Sequence, residues 1–186
     1  MSMVHYSSID APWRELNGAL QQGVWLRATT PASLMTFLTE QLGLGWEYVR
    51  DRVETIFLDG MVVDDLERSV VHDGSTVTLS AAMPGLVGAT LRRDGFYKAM
   101  RAEISWSTRV DDERVAAAPG LVRVKLFNLI LREIGPRLMA RGVFLDDASA
   151  TGVVGPVAGD PAGRADGRVF VMVDGQEGAL EGPGCS

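Results

Sequence analysis

The sequence is poor in the residues that most often announce a function. Its one cysteine, Cys185, among 186 residues can form neither an intramolecular disulfide nor a cysteine zinc cage. That fits a reducing compartment, with Cys185 an incidental thiol on a glycine-rich end. The only two histidines, His5 and His72, lie far in sequence from any candidate nucleophile, and nothing like G-x-S-x-G accompanies them. His72, beside Asp73-Gly74, reads as a turn residue. Positive charge is also short: a formal net charge of −6 and a pI near 4.9 argue against a nucleic-acid backbone as the main partner, because phosphate neutralisation needs a basic surface, and leave room only for a local basic patch. No apolar run approaches the roughly 20 residues that span a bilayer. The start, Met1-Ser2-Met3-Val4-His5, lacks the basic-then-apolar order of a secretion signal. A soluble cytoplasmic protein with neither membrane nor nucleic-acid partner is the expectation.

What is present is an ordinary globular balance, 46% hydrophobic and 23% charged, sufficient for one large domain or two small ones. The best-specified stretch runs from Val53 to Gly85. Val53 to Leu58 is β-branched and aromatic, and Asp59-Gly60 follows with Met61-Val62-Val63 beyond; Asp-Gly is a favoured two-residue hairpin turn because both positions need positive φ. A second Asp-Gly pair, Asp73-Gly74, leads into Thr76-Val77-Thr78-Leu79-Ser80, whose alternation predicts a strand with one face buried.

Upstream, the segment Ile9 to Leu16 reads either as a short helix or as an irregular strand leading to Asn17-Gly18. Val24 to Thr29 reads as a strand. Thr30 and Pro31 then serve as cap and first residue of a helix that Gly43 ends, with Leu34, Phe37, Leu38 and Leu42 on one face. A short helical stretch from Trp46 to Arg52 bridges to the hairpin. In the second half, Ile104 to Thr108 and Leu121 to Lys125 read as strands. A helix from Leu126 to Leu138 must kink or split at Gly135-Pro136. Residues 148–167, rich in Gly, Ala, Pro and Asp, read as a mobile loop before a late strand, Arg168 to Val173.

The order of elements in residues 1–88 resembles the β-grasp, ubiquitin-like sulfur-carrier family, which includes the small subunit of molybdopterin synthase and the thiamine-pathway sulfur carrier. The resemblance rests on Arg14-Glu15-Leu16-Asn17-Gly18 after a first strand, Thr30-Pro31-Ala32-Ser33-Leu34 opening the helix, Asp59-Gly60, and Asp73-Gly74-Ser75-Thr76-Val77. It implies an α+β fold, with an N-terminal β-grasp domain (1–88, mixed sheet, one packed helix) and a C-terminal extension (89–186, strand-strand-helix-strand) sharing or flanking its core. The family works through a terminal Gly-Gly, and no Gly-Gly pair occurs in this chain. Sulfur carriage by that route is therefore not expected.

Candidate chemistry is sparse. Gly85 and Gly88, followed by Arg92 and Arg93, could receive an anion through backbone N–H groups and guanidinium forks. The acidic groups Asp64-Asp65-Glu67, Asp111-Asp112-Glu113 and Asp146-Asp147 lack EF-hand spacing and read as surface turns. Trp13, Trp25, Trp46 and Trp106 read as core or sheet-face residues, any exposed one marking a contact surface. The expected role is a non-catalytic protein-interaction or accessory module, without cofactor or metal, binding a protein partner or itself. The alternative is a diverged sulfur-carrier-like or anion-binding component of sulfur or cofactor metabolism.

Overall fold

The computed structural model describes residues 3–81, 116–154 and 168–174. They form a mixed α+β structure with one large mixed sheet. In chain order the elements are β1 (Met3–Tyr6), α1 (Trp13–Gln22), β2 (Val24–Thr30), β3 (Ala32–Ser33), α2 (Leu34–Thr36, continued by a π-helical turn over Phe37–Gln41) and α3 (Trp46–Arg52). There follow β4 (Thr55–Leu58), β5 (Met61–Val62), β6 (Val70–Val71), β7 (Thr76–Ser80), β8 (Ala118–Phe127), α4 (Asn128–Arg141), β9 (Val143–Asp146), α5 (Asp147–Val154) and β10 (Arg168–Val173).

The two Asp-Gly turns form as their chemistry requires. Asp59 and Gly60 both take positive φ (50° and 84°), joining β4 to β5, and Gly74 sits at 83°. The turns are also tied together: the Asp59 carboxylate accepts from Thr76 N–H at 2.6 Å and from Ser75 Oγ at 3.0 Å. Ile56 and Leu58 pair with Leu79 and Val77, and all four are fully buried.

The strand order of the large sheet is β1-β10-β9-β2-β8-β7-β4-β5. Its middle is the unexpected part. β2 and β7 do not touch; between them lies β8, from the second half of the sequence, antiparallel to β2 and parallel to β7. The Asp73-Gly74 turn docks on β8 as well, with Asp73 Oδ1 accepting from Leu121 N–H at 2.7 Å and Gly74 N–H donating to Leu121 O at 2.8 Å. The N-terminal strand β1 lies at the opposite edge, parallel to β10. Apolar residues from both halves, including Leu16, Leu20, Phe37, Leu38, Val124, Ile130, Ile134 and Leu145, fill one contiguous core.

Several local expectations are corrected. Of the two readings left open for Ile9 to Leu16 the strand is the one set aside: helix α1 starts at Trp13 and runs on through Asn17-Gly18, because Leu16, Ala19 and Leu20 bury one helical face. The cap of α2 is Ser33, whose Oγ accepts from Thr36 N–H at 3.1 Å; Thr30 ends β2 and Ala32–Ser33 first pairs with β6. Leu34, Phe37, Leu38 and Leu42 are buried as the spacing required, and Gly43 takes φ 69°. Pro136 lies within a single continuous helix, α4, which does not split. Its burying face, Ile130, Ile134 and Leu138, spans the proline, so packing on the sheet holds together what the missing N–H weakens. Of the loop expected over residues 148–167, residues 148–154 are helical, within α5, with Ser149, Ala150 and Val153 buried, and residues 155–167 lie outside the described residues. The strand expected at Ile104 to Thr108 lies outside the described residues.

Helices α3 and α4 are clamped by a small polar cluster. Tyr48 Oη donates to Glu133 at 2.7 Å, and Arg52 pairs with the same carboxylate. Burial, the hydrogen bond to Glu133 and that carboxylate's charge together push the Tyr48 hydroxyl above its ordinary range. Burial also pushes the Glu133 carboxyl up, but the hydrogen bonds from Arg52 and Tyr48 outweigh it and leave the group below its usual 4.5. A carboxyl depressed on folding stabilises the native state above its unfolded pKa and loses that contribution as pH falls through the folded value. Glu133→Gln should therefore lower stability at pH 7 by about 1 kcal/mol, discounted for solvent exposure. The gap to the wild type should narrow as pH falls below the usual carboxyl range, as read by urea melts along a pH series. A gap that does not change with pH would assign the loss to packing.

Candidate functional site

Among the described residues the helices pack on one face of the sheet, and the composition of the opposite face is the most informative feature of the molecule. Along β2, Val24, Leu26 and Ala28 are buried while Trp25, Arg27 and Thr29 point the other way. The same alternation runs along β10, where Val169, Val171 and Val173 are buried and Arg168, Phe170 and Met172 are not. Because side chains on one face share the strand period of two, the register lines up a row across six strands: Met3, Phe170, Phe144, Trp25, Arg123 and Thr76.

Aromatic rings and guanidinium groups interleave along this row. Arg168 lies over the Trp25 ring at 4.3 Å and Arg123 over the same ring at 5.7 Å. Arg27 lies over Phe144 at 5.2 Å, and Phe144 meets Phe170 edge to face with centroids 5.1 Å apart. A guanidinium over a ring is held by the ring quadrupole while its N–H fork stays available. Among the described residues the acidic counterweight is slight: Asp146 approaches Arg123 at 3.5 Å, and its other oxygen accepts from Ser149 N–H at the start of α5.

At one end of the row lies a cavity of about 570 Å³. Met3, Phe144 and Phe170 supply apolar wall, Arg27 and Arg141 bring charge, and Gly142 forms part of the lining. Gly142 has φ 81° and ψ 136°, a conformation open essentially to glycine alone. The Phe170 ring leans onto it so closely that a Cβ there would stand 2.1 Å from the ring. Arg141 is positioned through the π-helical turn. It donates to the Gln41 carbonyl, and the Gln41 side-chain amide clamps Thr29 of β2, accepting from its N–H at 2.7 Å and donating to its O at 2.9 Å.

The four anion-site candidates from the sequence, Gly85, Gly88, Arg92 and Arg93, lie outside the described residues, as do Asp111-Asp112-Glu113, Trp106 and Cys185. Two other acidic groups serve the backbone: Asp65 Oδ1 accepts from the N–H groups of Glu67 and Arg68, and Asp146 caps α5. Among the described residues no group of three or more His, Cys, Asp or Glu is placed to hold a metal. His5 meets Asp174 at 2.6 Å at the exposed end of β1 and β10, far from His72 in the Asp-Gly turn. Sequence reading missed Phe144, Phe170, Arg27 and Arg141 as members of one site. The signal was the polar and aromatic phase of β2 and β10, but only pairing reveals that those phases coincide. Compared with known proteins, the chain matches no family model, no curated protein and no solved structure. Among the described residues no helix is long and apolar enough to cross a membrane.

Proposed function

We propose that the protein is a non-catalytic interaction module that docks an acidic protein partner on the sheet face bearing Trp25, Arg123 and Arg168. The observation carrying this is the stack of Arg168 and Arg123 on Trp25 beside Phe144. Tryptophan and arginine are enriched among interface hot spots, and stacking on Trp25 already restricts the two guanidinium groups. Cationic groups on the face make an acidic surface the complementary one and a second copy of the same face a poor one, since like charges would meet.

The fold reading that accompanies this is a β-grasp arrangement within β2-β8-β7-β4-β5 and α2. The order of β2, α2, β4, β5 and β7 supports it. In that reading β8 takes the place beside the last strand that an N-terminal strand holds in the sulfur-carrier type. The resemblance would then be to a rearranged member.

The test is Trp25→Ala and Arg168→Ala against partners captured by the wild-type chain and identified by quantitative mass spectrometry. Each variant should weaken a purified acidic partner by about 2 kcal/mol, roughly thirtyfold, with an unchanged circular dichroism spectrum and a steep loss in high salt. Unaltered affinity in both variants, or tighter binding of single-stranded oligonucleotides than of any protein, would refute the assignment.

A further inference from the structure

The cavity at the end of the aromatic row is a site in its own right, since Trp25, Arg123 and Arg168 do not line it. We infer that it binds a small organic anion: a carboxylate or phosphate carried on a flat apolar body. Three features converge on that class. The volume, about 570 Å³, falls in the ordinary range of small-molecule sites. Among the described residues its charge is of one sign, because the lining carries two guanidinium groups and no carboxylate. Neither Arg27 nor Arg141 forms an ion pair with a described residue.

The anchoring of those two arginines is the third feature. Arg27 rests on the face of Phe144 and Arg141 on the Gln41 carbonyl. Both anchors orient the guanidinium and neither neutralises it, so the charge remains for a ligand while the side-chain entropy is already spent. A carboxylate or phosphate matches the planar N–H fork. The edge-to-face pair Phe144 and Phe170, with Met3 alongside, offers an apolar wall against which a flat ring can lie. Inorganic anions would use only the charge, and neutral aromatics only the wall.

Isothermal titration of the full chain with 2-naphthoate and phenyl phosphate, against 2-naphthamide and inorganic phosphate, tests both halves of the claim. The ring-bearing anions should bind at least about tenfold more tightly than either control. Arg27→Gln should reduce that affinity about tenfold or more with the melting temperature unchanged, and Arg27→Lys should recover part of it by restoring charge without the fork. Naphthamide binding as well as naphthoate, inorganic phosphate as well as phenyl phosphate, an Arg27→Gln variant as tight as the wild type, or no binding below about 10 mM would each overturn the site. Trp25→Ala should leave naphthoate binding intact while weakening the protein partner, so loss of the docking face and loss of the cavity site are read separately.

Discussion

A chain ending after Gly88 is expected to be unfolded. Although all of the predicted first domain, residues 1–88, would remain, β8 would be gone, and β2 and β7 have no hydrogen bonds to each other without it. Also lost would be Val122, Val124 and Leu126 of β8 and Ile130, Ile134 and Leu138 of α4, all buried in the common core. At about 1.5–3 kcal/mol for each such side chain, the loss is on the order of 10 kcal/mol. A domain whose whole stability is about 5–15 kcal/mol does not survive that. Far-UV circular dichroism and amide proton dispersion decide the matter: the truncated chain should show coil ellipticity and a collapsed amide range. A dispersed spectrum with a cooperative melt would instead restore residues 1–88 as a self-sufficient unit.

Gly142→Ala should carry the largest single-residue cost outside the core proper. Two penalties add at this position. The backbone at φ 81°, ψ 136° is one that a Cβ opposes by about 1–3 kcal/mol. The new methyl would also meet the Phe170 ring at 2.1 Å, and forcing such a group aside typically costs about 1–3 kcal/mol. A fall in melting temperature on the order of 10 °C follows for a chain of this size. Because the displaced ring lines the cavity and packs on Phe144, naphthoate affinity should fall with it. The double variant Gly142→Ala, Phe170→Ala separates the terms, since removing the ring relieves the collision and leaves the backbone penalty. If Gly142→Ala melts within about 1 °C of the wild type, the close approach of ring and glycine is not the native arrangement.

The legible parts of this molecule are those whose causes lie within a few residues. The Asp59-Gly60 hairpin, the Val77 and Leu79 alternation and the buried Leu34, Phe37, Leu38 and Leu42 face were all readable, since each is set by local φ preference or by period. The start of α2 was misread because Thr30-Pro31 is also a plausible cap and first turn; pairing of Ala32–Ser33 with β6 delays the helix to Leu34. Likewise, α5 was read as loop because Ala, Ser, Thr and Gly carry little helical pattern; burial of Ala150 and Val153 in the shared core supplies the stabilisation that local propensity lacks.

By itself, then, the sequence determined the turns, the apolar stripe of α2, the strand phases and the overall acidity, for these follow from steric preferences of single residues and from charge. The tertiary structure alone decided that β8 stands between β2 and β7, and that Arg27, Arg141, Phe144 and Phe170 surround one cavity. Strand neighbours far apart in sequence are chosen by which partner buries the most apolar surface and pairs the most backbone groups. That comparison runs over the whole chain at once, and no local pattern encodes its result.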